Sequence, residues 1–433
     1  MKIRTAAALT VAALALVVLV VALARPLPSR TPTDTTSSPV PSPSASPAQS
    51  VASQPSPTAA PAGAATIEAT AARVPAEFHY AVAGTGAARG GVASFRVLLL
   101  DLDAAVVPTV GGATRAIEVA SVSVPVPPDS QSAPAVTVSS SADGRTVIVT
   151  ATHPELRQTI FALDVAAGMA HQLFDGPSVA AAIVSPDGAS VAFARSTGGI
   201  GGDPAVEGLW VSATSGGGMR RIVASEPGRV GSPPTPVAFL ATGTALAFRA
   251  SAGEGDYHIV LVNLASGETR FDTSSGEVRF VGGDVRDLVR GIGLDPGDGR
   301  TLLVWSSRSL FGGDSFVATV DATSAAAREL YRPGPNGTIQ LGAWHPARDR
   351  YVVLESVMCC GLTIPRTVTV RRIDGTATKV SESAFIVDVW WSRDGSRLFA
   401  ISGGDDSTAT VSDLLTRAVV LTYCVRGPGP PCP

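Results

Sequence analysis

The feature that most constrains the fold is a unit that recurs along the chain. From Ser178 to Ala194 the sequence reads SVAAAIVSPDGASVAFA: an apolar run, then Ser185-Pro186-Asp187-Gly188, then a second apolar run. Proline presets φ for the first central position of a turn, aspartate suits the second, and glycine accepts the left-handed conformation that closes a bulged hairpin. The unit therefore predicts strand, tight turn, strand. Comparable second strands begin at His79 (HYAVAG), Val147 (VIVTAT), Val191 (VAFARS), Leu246 (LAFRAS), Leu302 (LLVWSS), Tyr351 (YVVLES) and Leu398 (LFAISG), separated by 68, 44, 55, 56, 49 and 47 residues. That is the period of a four-stranded blade.

Six of the seven copies follow a turn of one kind: SADG at Ser141, SPDG at Ser185, ATGT at Ala241, PGDG at Pro296, PARD at Pro346 and SRDG at Ser392. The copy at His79 lacks it. These turns give Asp143, Gly144, Asp187, Gly188, Asp298, Gly299, Asp394 and Gly395 structural roles. A further apolar strand ending in a polar turn follows each copy, at Phe95, Thr159, Gly208, His258, Phe316, Thr367 and Thr408. A small sheet cannot bury both faces alone, so the copies must stack, and radial closure does this while leaving only short edges. The expected fold is an all-β β-propeller of seven four-stranded blades. A six-bladed ring closed by the first copy is the alternative, and an open β-sandwich array the rival. The 44 Gly and 33 Pro supply turns, and aromatics at 5% are sparse.

SPDGASVAFA, WSRDGSRLFAIS and the strands that follow them resemble the WD40-like (PD40) repeats of the TolB-type propeller family, from about residue 66 onward. The resemblance implies an extracytoplasmic binding platform with protein or peptide partners at one face or the central channel. Some relatives are joined to peptidases. Where TolB carries an N-terminal domain, this sequence has a low-complexity segment instead.

Lys2 and Arg4 precede an uncharged, mostly apolar run from Thr5 to Ala24, the order of a secretory signal or a signal anchor. Ala22-Leu23-Ala24 offers a cleavage site, and no Cys follows for lipid attachment. Residues 26–64 are rich in Pro, Ser, Thr and Ala, a composition that cannot offset its ordering entropy. The expected organisation is a signal peptide or anchor helix over 1–25, a disordered linker over 26–64 and a propeller over 65–433. The expected place is outside the cytoplasmic membrane, anchored by the N-terminal helix or secreted after cleavage near Ala24. The net charge of −3 gives no footprint for nucleic acid. Lys2 and Lys379 are the only lysines, so lysine chemistry has almost no candidates.

The four cysteines, Cys359, Cys360, Cys424 and Cys432, are an even number in a chain read as exported, which favours disulfides. Two bridges between the pairs would staple the Pro-rich tail onto the penultimate blade, although three pairings are open. A soft-metal site of Met358, Cys359 and Cys360 is the sharper alternative.

No G-x-S-x-G elbow occurs. In the Asp-box of sialidases Asp and Gly are spaced by one residue, whereas here they are adjacent. The five histidines, His79, His153, His171, His258 and His345, have no metal-ligand spacing, and Gly84-Thr85-Gly86 falls short of a dinucleotide fingerprint. Asp101 with Asp103, Asp295 with Asp298 and Asp405 with Asp406 read as turn caps, with calcium as the alternative. Trp344, His345, Trp390 and Trp391 stand beside turns that open on a rim. They read either as packing between blades or as a binding surface.

The expected function is non-catalytic binding of a protein, peptide or envelope component by a monomer, with no cofactor and no catalytic residue. A hydrolase or lyase with an axial site invisible as a linear motif is the first alternative. A structural or sensory ectodomain is the second.

Overall fold

The structure is a computed structural model that describes residues 63–425 except 85–90, 104–114, 129, 131, 155–156, 179–181, 198–202, 204, 226–233, 241–242, 254–255, 273–288, 295–300, 307–314, 322–326, 335–336, 358–365, 384 and 404–407. The leader, nearly all of the linker, Asp298, Gly299, Cys359, Cys360 and Cys432 lie outside the described residues. Of the cysteines, only Cys424 falls on a described strand.

Strands are the regular element throughout, and they form seven four-stranded antiparallel sheets among the described residues. The first holds β1 (Thr66–Ala69), β2 (Phe78–Gly84), β3 (Val92–Asp101) and β4 (Ala116–Pro125) in the order β1-β4-β3-β2. The others keep sequence order. They are β5 (Ala135–Ser140), β6 (Thr146–Thr152), β7 (Arg157–Asp164) and β8 (Met169–Pro177); β9 (Ile183–Val184), β10 (Ser190–Arg195), β11 (Gly208–Ala213) and β12 (Arg220–Ala224); and β13 (Thr235–Phe239), β14 (Ala245–Gly253), β15 (Asp256–Asn263) and β16 (Thr269–Asp272). Next come β17 (Val289–Leu294), β18 (Thr301–Ser306), β19 (Phe316–Asp321) and β20 (Ala327–Tyr331); β21 (Gly337–Trp344), β22 (Arg350–Val357), β23 (Arg366–Arg372) and β24 (Ala377–Ser383); and β25 (Ile386–Trp391), β26 (Leu398–Gly403), β27 (Thr408–Asp413) and β28 (Ala418–Cys424). The strands β2, β5, β9, β13, β17, β21 and β25 neighbour one another in turn, and side chains of β2 pack on the last sheet. The fold is an all-β propeller.

The repeated turn explains the hairpins atom by atom. Ser185 Oγ donates to Asp187 Oδ1 at 2.5 Å, the Ala189 and Ser190 amides donate to Asp187 Oδ1 and Ser185 Oγ, and Gly188 adopts φ 75°. The turns at Ser141 and Ser392 repeat this pattern, with Gly144 at φ 74° and Gly395 at φ 72°. In the sixth sheet His345 takes the serine's place, receiving the Ala347 amide on Nδ1 at 3.0 Å, and Arg348 takes the glycine's place at φ 60°.

Alternation along each strand feeds two cores. Val147, Val149 and Phe161 of the second sheet pack against the first, whereas Ile148, Ile160 and Phe174 meet Val191 and Phe193 of the third. Phe193 is fully buried there, a burial that stabilises by on the order of 2–3 kcal/mol.

The first sheet departs from the sequence expectation. The run at His79 is its innermost strand, β2, and not a second strand. Its N-terminal end lies at the repeated turns, since Tyr80 Oη donates to Gly144 O at 2.7 Å and Arg393 N to Glu77 Oε2 at 2.9 Å. Its C-terminal end lies at the opposite rim, where the Gly84 amide donates to Val425 O at 2.9 Å. In β5 and β25 the turn follows the strand, so β2 runs against them. The first sheet is thus reversed relative to the second and the last, and no SxDG turn follows β2.

Candidate functional site

At the turn-bearing end the described SxDG turns each lean on a neighbouring sheet. The glycine of each described turn abuts the previous sheet: a Cβ on Gly144 would stand 2.7 Å from Phe78 Cε2, on Gly188 2.7 Å from Thr146 Oγ1, and on Gly395 2.6 Å from His345 Cε1. Arg393 spans the seam between the last and first sheets. Its guanidinium donates to Ala142 O and lies 4.6 Å from the Phe78 ring centre. Burial raises the pKa of Glu77, which receives the Arg393 amide, and Arg393 itself opposes that shift.

Midway along the seam His79 stacks on Trp390 with ring centres 4.1 Å apart, and its Nε2 lies 3.7 Å from Asp388 Oδ2. Burial lowers the His79 pKa against the pull of Asp388. Tyr423 is pushed up to about 12, first by burial and then by Asp388. Of the aromatic residues singled out above, Trp344, His345 and Trp391 are buried and Trp390 is half-buried. His345 meets the Trp391 ring edge-on at 4.7 Å, and its Nε2 lies 3.0 Å from Gly395 O. The four sit in packing between the last two sheets and at the seam. Asp103 caps the Ala76 and Glu77 amides, as the turn-cap reading of Asp101 and Asp103 expects.

Two clefts flank this framework. One, of about 270 Å³, lies at the inner strands beside the turns, where β5, β9 and β13 line it with Ser139, Ser140, Ile183, Val237 and Phe239, together with Pro186 of the turn. The other, of about 310 Å³, lies at the opposite rim among Gly63, Gly91, Pro125, Pro127, His153 and Arg157. Behind it Thr159 Oγ1 donates to Asp175 Oδ1 at 3.1 Å and lies 3.0 Å from His153 Nε2, while Arg157 pairs with Asp175. With its proton committed to Asp175, the Thr159 hydroxyl must accept from the histidine. That order is the reverse of an activated nucleophile, in which histidine takes the hydroxyl proton.

Sequence reasoning missed Arg393, Asp388, Arg195 and Gln158. Arg195 ends β10 with its guanidinium 5.1 Å from the Phe174 ring centre and 4.7 Å from that of Trp210, and burial lowers its pKa. Gln158 is 3% exposed. No linear motif marks either residue; the weak signal for Arg195 is a cation closing an otherwise apolar marker strand.

No protein-family model and no curated protein matches the chain. Among solved structures, a putative TolB from Agrobacterium tumefaciens aligns at TM-score 0.42 and 15% identity over 61% of this chain and 88% of its own. A prolyl endopeptidase aligns at TM-score 0.51 and 10% identity over 80% of this chain and 50% of its own. The tricorn protease aligns at TM-score 0.50 and 10% identity over 81% of this chain and 36% of its own. At such identity the likeness shows the fold alone: this is a β-propeller protein.

Proposed function

We propose that the chain is an extracytoplasmic, non-catalytic binding platform, held to the membrane by its N-terminal segment or released by cleavage near Ala24, that receives a protein or peptide of the cell envelope. Each four-stranded sheet serves as one blade, and a monomer suffices for binding. The observation that carries this reading is the chemistry of the inner-strand cleft. Three inner strands line it with aliphatic, phenylalanine and serine residues and the adjoining turn adds Pro186, a surface suited to an apolar segment with a few hydrogen bonds rather than to proton transfer. The reversed Thr159 network beside the rim cleft points the same way.

The test is affinity capture from envelope extracts with the full-length chain as bait. One enriched protein, lost when Val237 is changed to Asp in a chain that melts as the wild type does, supports the platform. No enrichment, together with turnover of a peptide or saccharide library by the same preparation, would favour an enzyme.

A further inference from the structure

Between the second and third sheets a half-buried cation is held by rings and not by an acid. Phe174 and Trp210 flank the Arg195 guanidinium, and Arg195 Nε is sealed with no hydrogen-bond partner. Burial lowers its pKa, and among the described residues its partners are aromatic rings and not carboxylates.

A second orphan faces the same layer. Gln158 lies two residues before Ile160, which belongs to the core shared with Phe174 and Phe193. Its Nε2 donates to Thr152 Oγ1 at 3.2 Å, while Oε1 is buried without a partner. Gln158 pairs with Thr152 at the end of β6, and Arg195 with Gly208 at the end of β10. Both therefore stand at the rim opposite the turns.

An unmet buried donor and an unmet buried acceptor are costly to retain, and the ligand that answers both carries a carboxylate beside an N–H. A guanidinium fork matches a carboxylate in two parallel hydrogen bonds, and ring faces on either side hold that fork in one orientation before the ligand arrives. We propose that Arg195 and Gln158 form a recognition site for a peptide carboxylate at the rim between the second and third sheets. Arg195 receives the carboxylate and the Gln158 carbonyl a neighbouring amide N–H. The peptide source rests on the platform reading above; the carboxylate site itself does not.

The experiment is a titration of full-length protein, followed by tryptophan fluorescence at constant ionic strength. The probes are acetate, an N-acetyl tripeptide acid, its C-terminal amide, and the amide carrying one internal glutamate. The wild type is expected to bind acetate and the tripeptide acid saturably, with chloride inert. Binding of the plain amide would overturn the site, while the glutamate-bearing amide tells a side-chain carboxylate from a terminal one.

Arg195→Met is expected to weaken carboxylate binding at least tenfold and to melt no lower than the wild type. Gln158→Leu should weaken the tripeptide acid more than acetate. Absence of carboxylate binding by the wild type, or unchanged affinity in Arg195→Met, overturns the proposal. A lowered melting temperature in Arg195→Met without carboxylate binding by the wild type assigns Arg195 to packing and overturns it too. Should Arg195→Met not fold, Arg195→Lys decides: a tenfold loss supports the fork, and unchanged affinity overturns it. A captured partner that Arg195→Met retains would sink this inference and leave the platform standing.

Discussion

Gly395 shows how much one position carries in the turns. Its φ of 72° is open to glycine at little cost, and its missing Cβ is the space into which His345 fits. Replacing it with Ala is expected to cost at least about 1–2 kcal/mol from backbone strain alone, with a further penalty from the histidine. Denaturant unfolding should show a smaller penalty in a His345→Ala background; equal penalties would mean that the collision is not felt. The turn carboxylates predict acid sensitivity. Asp394 is held at about 2, chiefly by the Ser392 hydroxyl and then by Ser396, and Asp187 is lowered by Ser185 and the Ala189 amide. A carboxylate whose pKa falls on folding stabilises above its unfolded value, about 3.9, and that contribution is lost as pH falls through the folded value. Asp394→Asn should therefore be less stable at neutral pH and lose less between about pH 4 and 2; parallel acid curves would refute this.

At the scale of the element, the seam between β2 and β25 is where the ring is open to test. Among the described residues no sheet mixes strands from the two ends of the chain, so closure rests on contacts between sheets: Arg393 at the turns, His79 on Trp390 midway, a shared core behind them, and the Gly84 amide on Val425 O at the far rim. Arg393→Ala should cost roughly 1 kcal/mol, because its hydrogen bonds are to exposed groups. Hydrogen exchange should rise first in β2 and β25; uniform exchange would place the weak point elsewhere. His79 adds a pH dependence. Its folded pKa is lowered, so the unfolded chain takes up protons that the fold refuses, and stability should fall as pH drops below about 6.5. His79→Phe keeps the stack and should flatten the slope, whereas Asp388→Asn should steepen it.

The His79 run has the apolar pattern of every other copy, and pattern does not encode direction. The missing turn and the long 68-residue interval before Val147 were the visible signs. The SxDG turns, in contrast, were legible because serine, aspartate and glycine each have one mechanical task there. The tryptophans were half legible: sequence placed them beside turns, but whether such a ring points in or out depends on the neighbouring sheet.

At the scale of the molecule, the period and the turn chemistry announced a stack of sheets, while the candidate sites stayed silent because they join residues from different copies. Arg195 meets a ring from another sheet, and Asp388 meets His79 across 309 positions of chain. Export is testable at the N-terminus and at the cysteines. N-terminal analysis of the protein made in its host should find either an intact Met1 on a membrane-bound chain or a start just after Ala24, and non-reducing peptide mapping should find no free thiol. Two alkylatable cysteines would reject the bridges.

The most direct test of the platform is a photo-crosslinking amino acid placed at Val237, in the inner-strand cleft, and separately at Met169, 64% exposed on the outer strand β8, in living cells. One discrete protein adduct is expected at position 237 and none at 169. Equal adducts at both positions, or none at 237 while the folded protein is present, would contradict the platform.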